Sequence, residues 1–217
     1  RRSAGLGMVA GFSLLPTPLR LAFAQDEGER GPDLAVVRGT PPQATERAIQ
    51  LLGGIGRFVK EGDRVLLKPN LSFANPPEWG STTEPQVIRT VAKLCVEAGA
   101  RRVVVMDHTL RARQACLEKT GIKEAVAGLE GVAVLLVDQR RFFTEVQVPH
   151  GKVLSSVEVA KEVMNCDVLI NLPCAKTHSA TGVSFGMKNL MGLIWDRGYF
   201  HRTDLNRAVA ELSTVIK

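Results

Sequence analysis

The spacing of hydrophobic and polar positions changes several times along this chain, and each change marks an element. Residues 34–37 read as a short strand, and residues 43–58 as a helix that starts after the Pro41-Pro42 stop. Glu61-Gly62-Asp63 turns the chain into a strand over 64–68, and a long loop follows over 69–82. A helix is predicted over 83–98. Thr83 caps it with Gln86 three residues on, Ile88, Val91, Ala92 and Cys95 form its apolar stripe, and Gly99 ends it. Residues 102–106 carry a β-branched run suited to a strand buried on both faces. A polar helix over 110–119, a second short helix and a strand over 132–137 come next. Residues 142–154 suit a hairpin or bulged insert around His150-Gly151, residues 156–164 a helix, and residues 167–170 another apolar strand. A last helix is expected over 204–217, with Leu205, Ala208, Val209, Leu212, Val215 and Ile216 at helical spacing. No Gly or Pro stop closes it, so the natural protein is expected to continue past Lys217.

Strands that alternate with helices imply right-handed crossovers and a mainly parallel sheet. The fold class is therefore α/β, a Rossmann-like three-layer arrangement of a parallel sheet flanked by helices, over residues 34–217. At 217 residues, 45% hydrophobic and 5% aromatic, the chain can bury one sizeable core. That composition excludes a disordered, collagen-like or polytopic membrane protein.

Residues 1–24 read as an export signal. Arg1-Arg2 precede an uncharged run over 3–15, and Ala22-Phe23-Ala24 forms a cleavage site. The apolar run is too short for a stable membrane span, so none is expected once the signal is removed. The arginine pair points to the twin-arginine route, which exports folded proteins to the periplasm or an equivalent compartment. Residues 25–33 are a polar linker. The signal holds three arginines and no acid, so the formal charge of +6 falls to +3 for residues 25–217. The remaining cations are scattered, which argues against a nucleic-acid partner. Cys95, Cys116, Cys166 and Cys174 include no C-x-x-C pair, so neither a zinc ribbon nor a local iron–sulfur motif is present.

Ligands of open parallel sheets bind beyond the carboxyl ends of the strands. Three predicted strands run into chemistry there: Lys68-Pro69-Asn70, Asp107-His108-Thr109, and Asn171 followed by Lys176-Thr177-His178 and Lys188-Asn189. His201 follows a short loop with Asp196, Arg197 and Tyr199. Any one of these has an ordinary structural use as a cap or a solvated side chain. Their convergence on one sheet edge suits a carboxylate or phosphate ligand, with Lys68, Asn70, Asn171, Lys176 and Asn189 as contacts. His108, His178 and His201 are of the type that moves protons or binds metal. Gly5-Leu6-Gly7-Met8-Val9-Ala10 fits a dinucleotide pattern literally, but it lies in the signal with no preceding strand.

Val65-Leu66-Leu67-Lys68-Pro69-Asn70-Leu71, Ala98-Gly99-Ala100, Lys176-Thr177-His178 and Lys188-Asn189-Leu190-Met191-Gly192 resemble the domain-of-unknown-function 362 family. The resemblance covers roughly residues 34–217 and implies an uncharacterised, often exported α/β protein, with iron–sulfur segments in some relatives. His108-Thr109-Leu110-Arg111 stands where others have a Gly/Ser-rich loop. More distantly, His108, His178 with Lys188, and His201 are similar in order to residues of the N-terminal domain of nickel-pincer lactate racemases. That resemblance implies Lys188 as a cofactor anchor, His108 and His178 as an acid/base pair, and His201 as a metal ligand. The glycines that flank the lysine there are not reproduced.

Three functions follow as expectations. The first is an enzyme running acid/base chemistry on a small anionic molecule through His108, His178 and Lys188. The second is a metal- or cofactor-dependent redox or racemase-like enzyme, and the third a periplasmic binding module without chemistry.

Overall fold

The structure, a computed structural model, describes residues 32–216. The proposed export signal and most of the linker lie outside those residues. The chain runs α1 (Pro41–Leu51), β1 (Arg64–Pro69), α2 (Pro85–Glu97), β2 (Arg102–His108), α3 (Arg113–Thr120), α4 (Ile122–Ala125), β3 (Val132–Val137), β4 (Phe143–Gln147), β5 (Ser156–Ala160), α5 (Lys161–Asn165), β6 (Val168–Leu172), β7 (Lys176–His178), β8 (Gly182–Ser184), α6 (Gly186–Asn189), α7 (Arg197–Arg202) and α8 (Leu205–Leu212). Four strands form one sheet in the order β3-β2-β1-β6, and every pairing in it is parallel. This is the α/β architecture expected from the sequence.

Alternation along β1 and β2 divides the core between two layers. Val65, Leu67, Val103 and Val105 join Ile88, Val91, Ala92 and Cys95 of α2 on one face. Leu66, Val104 and Met106 join the β4–β5 hairpin, the Leu190–Leu193 turn, Phe200 and the apolar stripe of α8 on the other. The four carboxyl ends lie side by side because the strands are parallel and in register, with Lys68 opposite Asn171 and His108 opposite Val137.

Several local expectations are corrected. Residues 34–37 form no strand and join no ladder among the described residues. The first helix stops at Leu51 rather than Phe58, because Gly53 and Gly54 take positive φ (98° and 82°) and break it. Glu84, not Thr83, caps α2, accepting from the Gln86 backbone N–H at 3.4 Å with Pro85 opening the helix. The Thr83 hydroxyl instead accepts from Asn70 N (2.8 Å) and donates to Leu172 O (2.7 Å), joining the ends of β1 and β6. Residues 156–160 form a strand, not a helix. Val157 and Val159 are buried at a period of two against antiparallel β4, and helix is confined to α5. The third helix starts at Arg113 rather than residue 110, and the last one ends at Leu212.

Candidate functional site

Lys68 lies at the end of β1 and is completely buried. Its ammonium pairs with the equally buried Asp107 carboxylate of β2 at 3.1 Å and donates to Pro69 O. Burial pulls the Lys68 ammonium below its ordinary pKa, and the Asp107 carboxylate works against that pull. The other Asp107 oxygen accepts from Leu71 N (2.6 Å) and Ser72 Oγ (3.2 Å), fixing the start of the loop after β1. Gly192 closes over this pair. A Cβ there would fall 2.5 Å from Lys68 Cε and 2.6 Å from its Nζ, and closer still to Asp107 Oδ1. The glycine of the Lys188-Asn189-Leu190-Met191-Gly192 segment is thus required by a close approach, not by its φ.

The amides are arranged around the same strand ends. Asn189 is buried, and its Nδ2 donates to Lys68 O (2.9 Å) and Asn171 Oδ1 (2.8 Å). Asn171 Nδ2 donates to Gly186 O at 2.8 Å. Together they seat α6 across β1 and β6. Asn70 is buried, and its side-chain oxygen has no partner among the described residues.

Lys188 projects from this seated turn and is half-buried, with no hydrogen bond or ion pair among the described residues. Burial lowers its pKa first, and the Arg197 and Lys176 charges lower it further. Lys176, on β7, donates to Ser81 O and lies 5.1 Å from the Phe73 ring centroid. Burial lowers its pKa as well. Arg197, first residue of α7, donates to Thr109 O at 3.0 Å and is largely desolvated, with only Asp107 acting to raise its pKa.

Two histidines join these cations. The His178 and His201 rings stack 6.3 Å apart. Partial burial, Lys188, His201 and Lys176 lower the pKa of His178, in that order, while burial, Lys188 and Arg197 lower that of His201. His178 Nδ1 accepts from Ala180 N (3.2 Å) and Thr181 N (3.3 Å), which leaves the proton of the neutral ring on Nε2.

His108 stands apart. It is buried, stacks on Trp195 at 5.3 Å and tilts against Phe143 at 5.2 Å. Its Nδ1 lies 2.8 Å from Ile194 O, and a carbonyl can only accept, so Nδ1 carries the proton and Nε2 keeps its lone pair. Burial, then Arg197, lowers its pKa. The charges acting on His178 do not include His108. Arg197 is the group whose charge reaches His108, Lys188 and His201 alike.

The structure therefore brings Lys176, His178, Lys188 and His201 together, places Asn171 and Asn189 beneath them as supports, and buries Lys68. Asp107, Arg197 and Gly192 stand in the segments named from the sequence, but no role was assigned to them there. The signals were an arginine in the segment just before His201, a carboxylate at a strand end and a glycine closing a motif. No group of three or more His, Cys, Asp or Glu among the described residues has metal-ligating geometry. The stacked His178 and His201 offer two imidazoles without a third donor. All four cysteines are free thiols, and the two buried ones, Cys95 and Cys116, belong to the apolar core on the α2 side of the sheet. These donors do not fit a metal or iron–sulfur centre.

A four-stranded parallel sheet packed against helices, with cations and imidazoles at its carboxyl edge, defines an α/β domain. The chain belongs to the domain-of-unknown-function 362 family (DUF362), whose profile matches residues 65–217. It is also similar to the thylakoid-associated protein sll1697 of Synechocystis sp. (strain ATCC 27184 / PCC 6803 / Kazusa), with 34% identity over 146 residues and 67% of this chain covered. The chain spans 44% of that relative's length.

Proposed function

We propose that the carboxyl edge of the sheet binds a small anionic molecule, a carboxylate or phosphate, between Lys176, Lys188 and Arg197, and moves a proton on it. One observation carries this reading. Lys188 is half-buried and forms no ion pair among the described residues, and the Arg197 and Lys176 charges add to burial in lowering its pKa. Asp107, the acid of the strand ends, is already paired with Lys68. Buried like charges are costly when unpaired, so an anion that enters relieves desolvation and repulsion together. His178, with its proton on Nε2, is the donor of this site. His108, with its Nε2 lone pair, is the base where a substrate reaches across Arg197. Lys68, Asn171 and Asn189 position the Lys188 turn rather than touch the ligand.

Support for export comes from the arginine pair and cleavage pattern of residues 1–24. The relative's name places that protein at a thylakoid, and a membrane-bounded compartment for this chain agrees with both.

Thermal-shift and calorimetric titration with sulfate and small carboxylates tests the anion site. Anion is expected to raise the melting temperature, and Lys188→Met to weaken binding about tenfold or more, the scale of one charge-assisted hydrogen bond. Equal anion affinity in Lys188→Met and the native protein would sink the reading. A ligand recovered chemically unchanged after long incubation would leave binding without catalysis.

A further inference from the structure

We infer that Asn70 selects the ligand of the proposed anion site, and that this ligand is an anion bearing a hydroxyl group. The inference rests on that reading of the site and narrows its substrate class. Four buried side-chain polar atoms lack a hydrogen-bond partner among the described residues: Asn70 Oδ1, Thr82 Oγ1, Asp107 Oδ1 and Thr109 Oγ1. All four stand at the carboxyl ends of β1 and β2 or in the loop after β1. Buried polar groups are paired as a rule, so such a concentration at one edge points to a partner from outside the chain. Asp107 Oδ1 is answered by the Lys68 ammonium at 3.1 Å, and a threonine hydroxyl can rotate toward several neighbours. Asn70 has neither remedy. It is only 8% exposed, yet among the described residues its side chain makes no hydrogen bond, and only its backbone N–H is engaged, on Thr83 Oγ1.

The strand fixes the side on which this amide lies. Leu67 and Leu71 belong to the core on the α2 side, whereas Lys68 turns the other way, under Gly192 and beside Asp107. Side chains of an extended segment alternate, so Asn70 lies with Lys68 on the side of the Leu190–Leu193 turn and Phe200 of α7. Asn189, next to Lys188, donates to Lys68 O two residues before Asn70, and the Arg197 and Lys176 charges both act on Lys68. The chemistry of the ligand follows from these neighbours. An ammonium beside the amide would meet Lys176, Lys188 and Arg197 as like charges. A methylene would leave the amide as unpaired as before. A hydroxyl donates and accepts, so it answers either end of the amide, and it carries no charge. With the cations holding the anion and Asn70 the hydroxyl, the ligand is a hydroxy acid or a hydroxylated phosphate.

The full chain is to be titrated calorimetrically with sulfate and with two matched pairs, glycerate against propionate and glycerol phosphate against propyl phosphate. In at least one pair the hydroxylated member is expected to bind about tenfold or more tighter, the scale of pairing a buried group that is otherwise unpaired. Asn70→Leu removes the amide at nearly constant volume and breaks no side-chain hydrogen bond. In that variant the preference is expected to fall to about one, with a melting temperature no lower than the native one. Asn70→Ala gives the same comparison where the leucine does not fold. Sulfate binding with equal affinities inside both pairs overturns the inference and leaves the anion site standing. A preference kept in the variants overturns it as well. A native chain that binds neither sulfate nor any of the four organic anions overturns the anion site and this inference together.

Discussion

At the scale of single residues, the buried Lys68–Asp107 pair decides most. Removing one partner of a completely buried pair leaves an unanswered charge, so Lys68→Met or Asp107→Asn alone is expected to cost about 3–5 kcal/mol in denaturant unfolding. The double Lys68→Met/Asp107→Leu variant is expected to cost clearly less than the sum, because no lone charge remains. Gly192→Ala overpacks against the same pair and is expected to lose about 1–3 kcal/mol. A Gly192→Ala protein as stable as the native one would refute that contact. The histidines give a pH dependence. His178 and His201 titrate below the usual histidine value in the free protein, and a bound anion raises them. The added affinity is therefore present below their free pKa and lost as pH rises through the bound one. Calorimetry with sulfate, which does not itself titrate near neutrality, should show tighter binding at about pH 5 than at about pH 8.

At the scale of elements, α8 is tied to the loop before β5 by one carboxylate. Glu211 accepts from Lys152 N (2.9 Å), Val153 N (3.1 Å) and Leu154 N (2.9 Å), and these bonds hold its pKa down to about 2. A carboxyl depressed in the folded state stabilises above its unfolded value and loses that contribution as pH falls toward about 2. Glu211→Gln is expected to lower the melting temperature at neutral pH and to flatten its fall in acid. Equal acid sensitivity in the two proteins would refute it. Elements also show what the pattern of the chain could and could not reveal. β1, β2, β3 and β6 were legible because continuous apolar runs have few alternatives in a buried parallel sheet. β5 was not, since Ser156, Val157, Glu158, Val159 and Ala160 fit a helix stripe and a strand alternation equally, and only pairing with β4 decides. The three-residue strands β7 and β8 are too short to leave a period at all.

At the scale of the whole molecule, the site was legible as a place and less so as a mechanism. The topology guaranteed that Lys68, His108 and Asn171 would share one edge. Nothing in a linear pattern distinguishes a lysine that pairs with Asp107 from one that awaits a ligand, so Lys68 and Lys188 looked alike. Arg197 was obscure for a related reason: its reach to His108, Lys188 and His201 comes from the packing of α7, which no local spacing encodes. No helix among the described residues is long and apolar enough to cross a membrane.

The pairing of β1 with β6 also sets the order in which this protein can be built. Arg64 N donates to the Asp167 carboxylate across 103 positions of sequence, and Asn189 reaches Lys68 across 121. The β1–β2–β3 part of the sheet assembles from nearer segments. On a ribosome, then, β1 waits with one side open until Asp167, 103 positions further on, and the strand after it have been made. Closure of so distant a parallel pair is slow. A refolding experiment should resolve a late phase that weakening the Arg64–Asp167 contact slows while leaving the earlier phase unchanged.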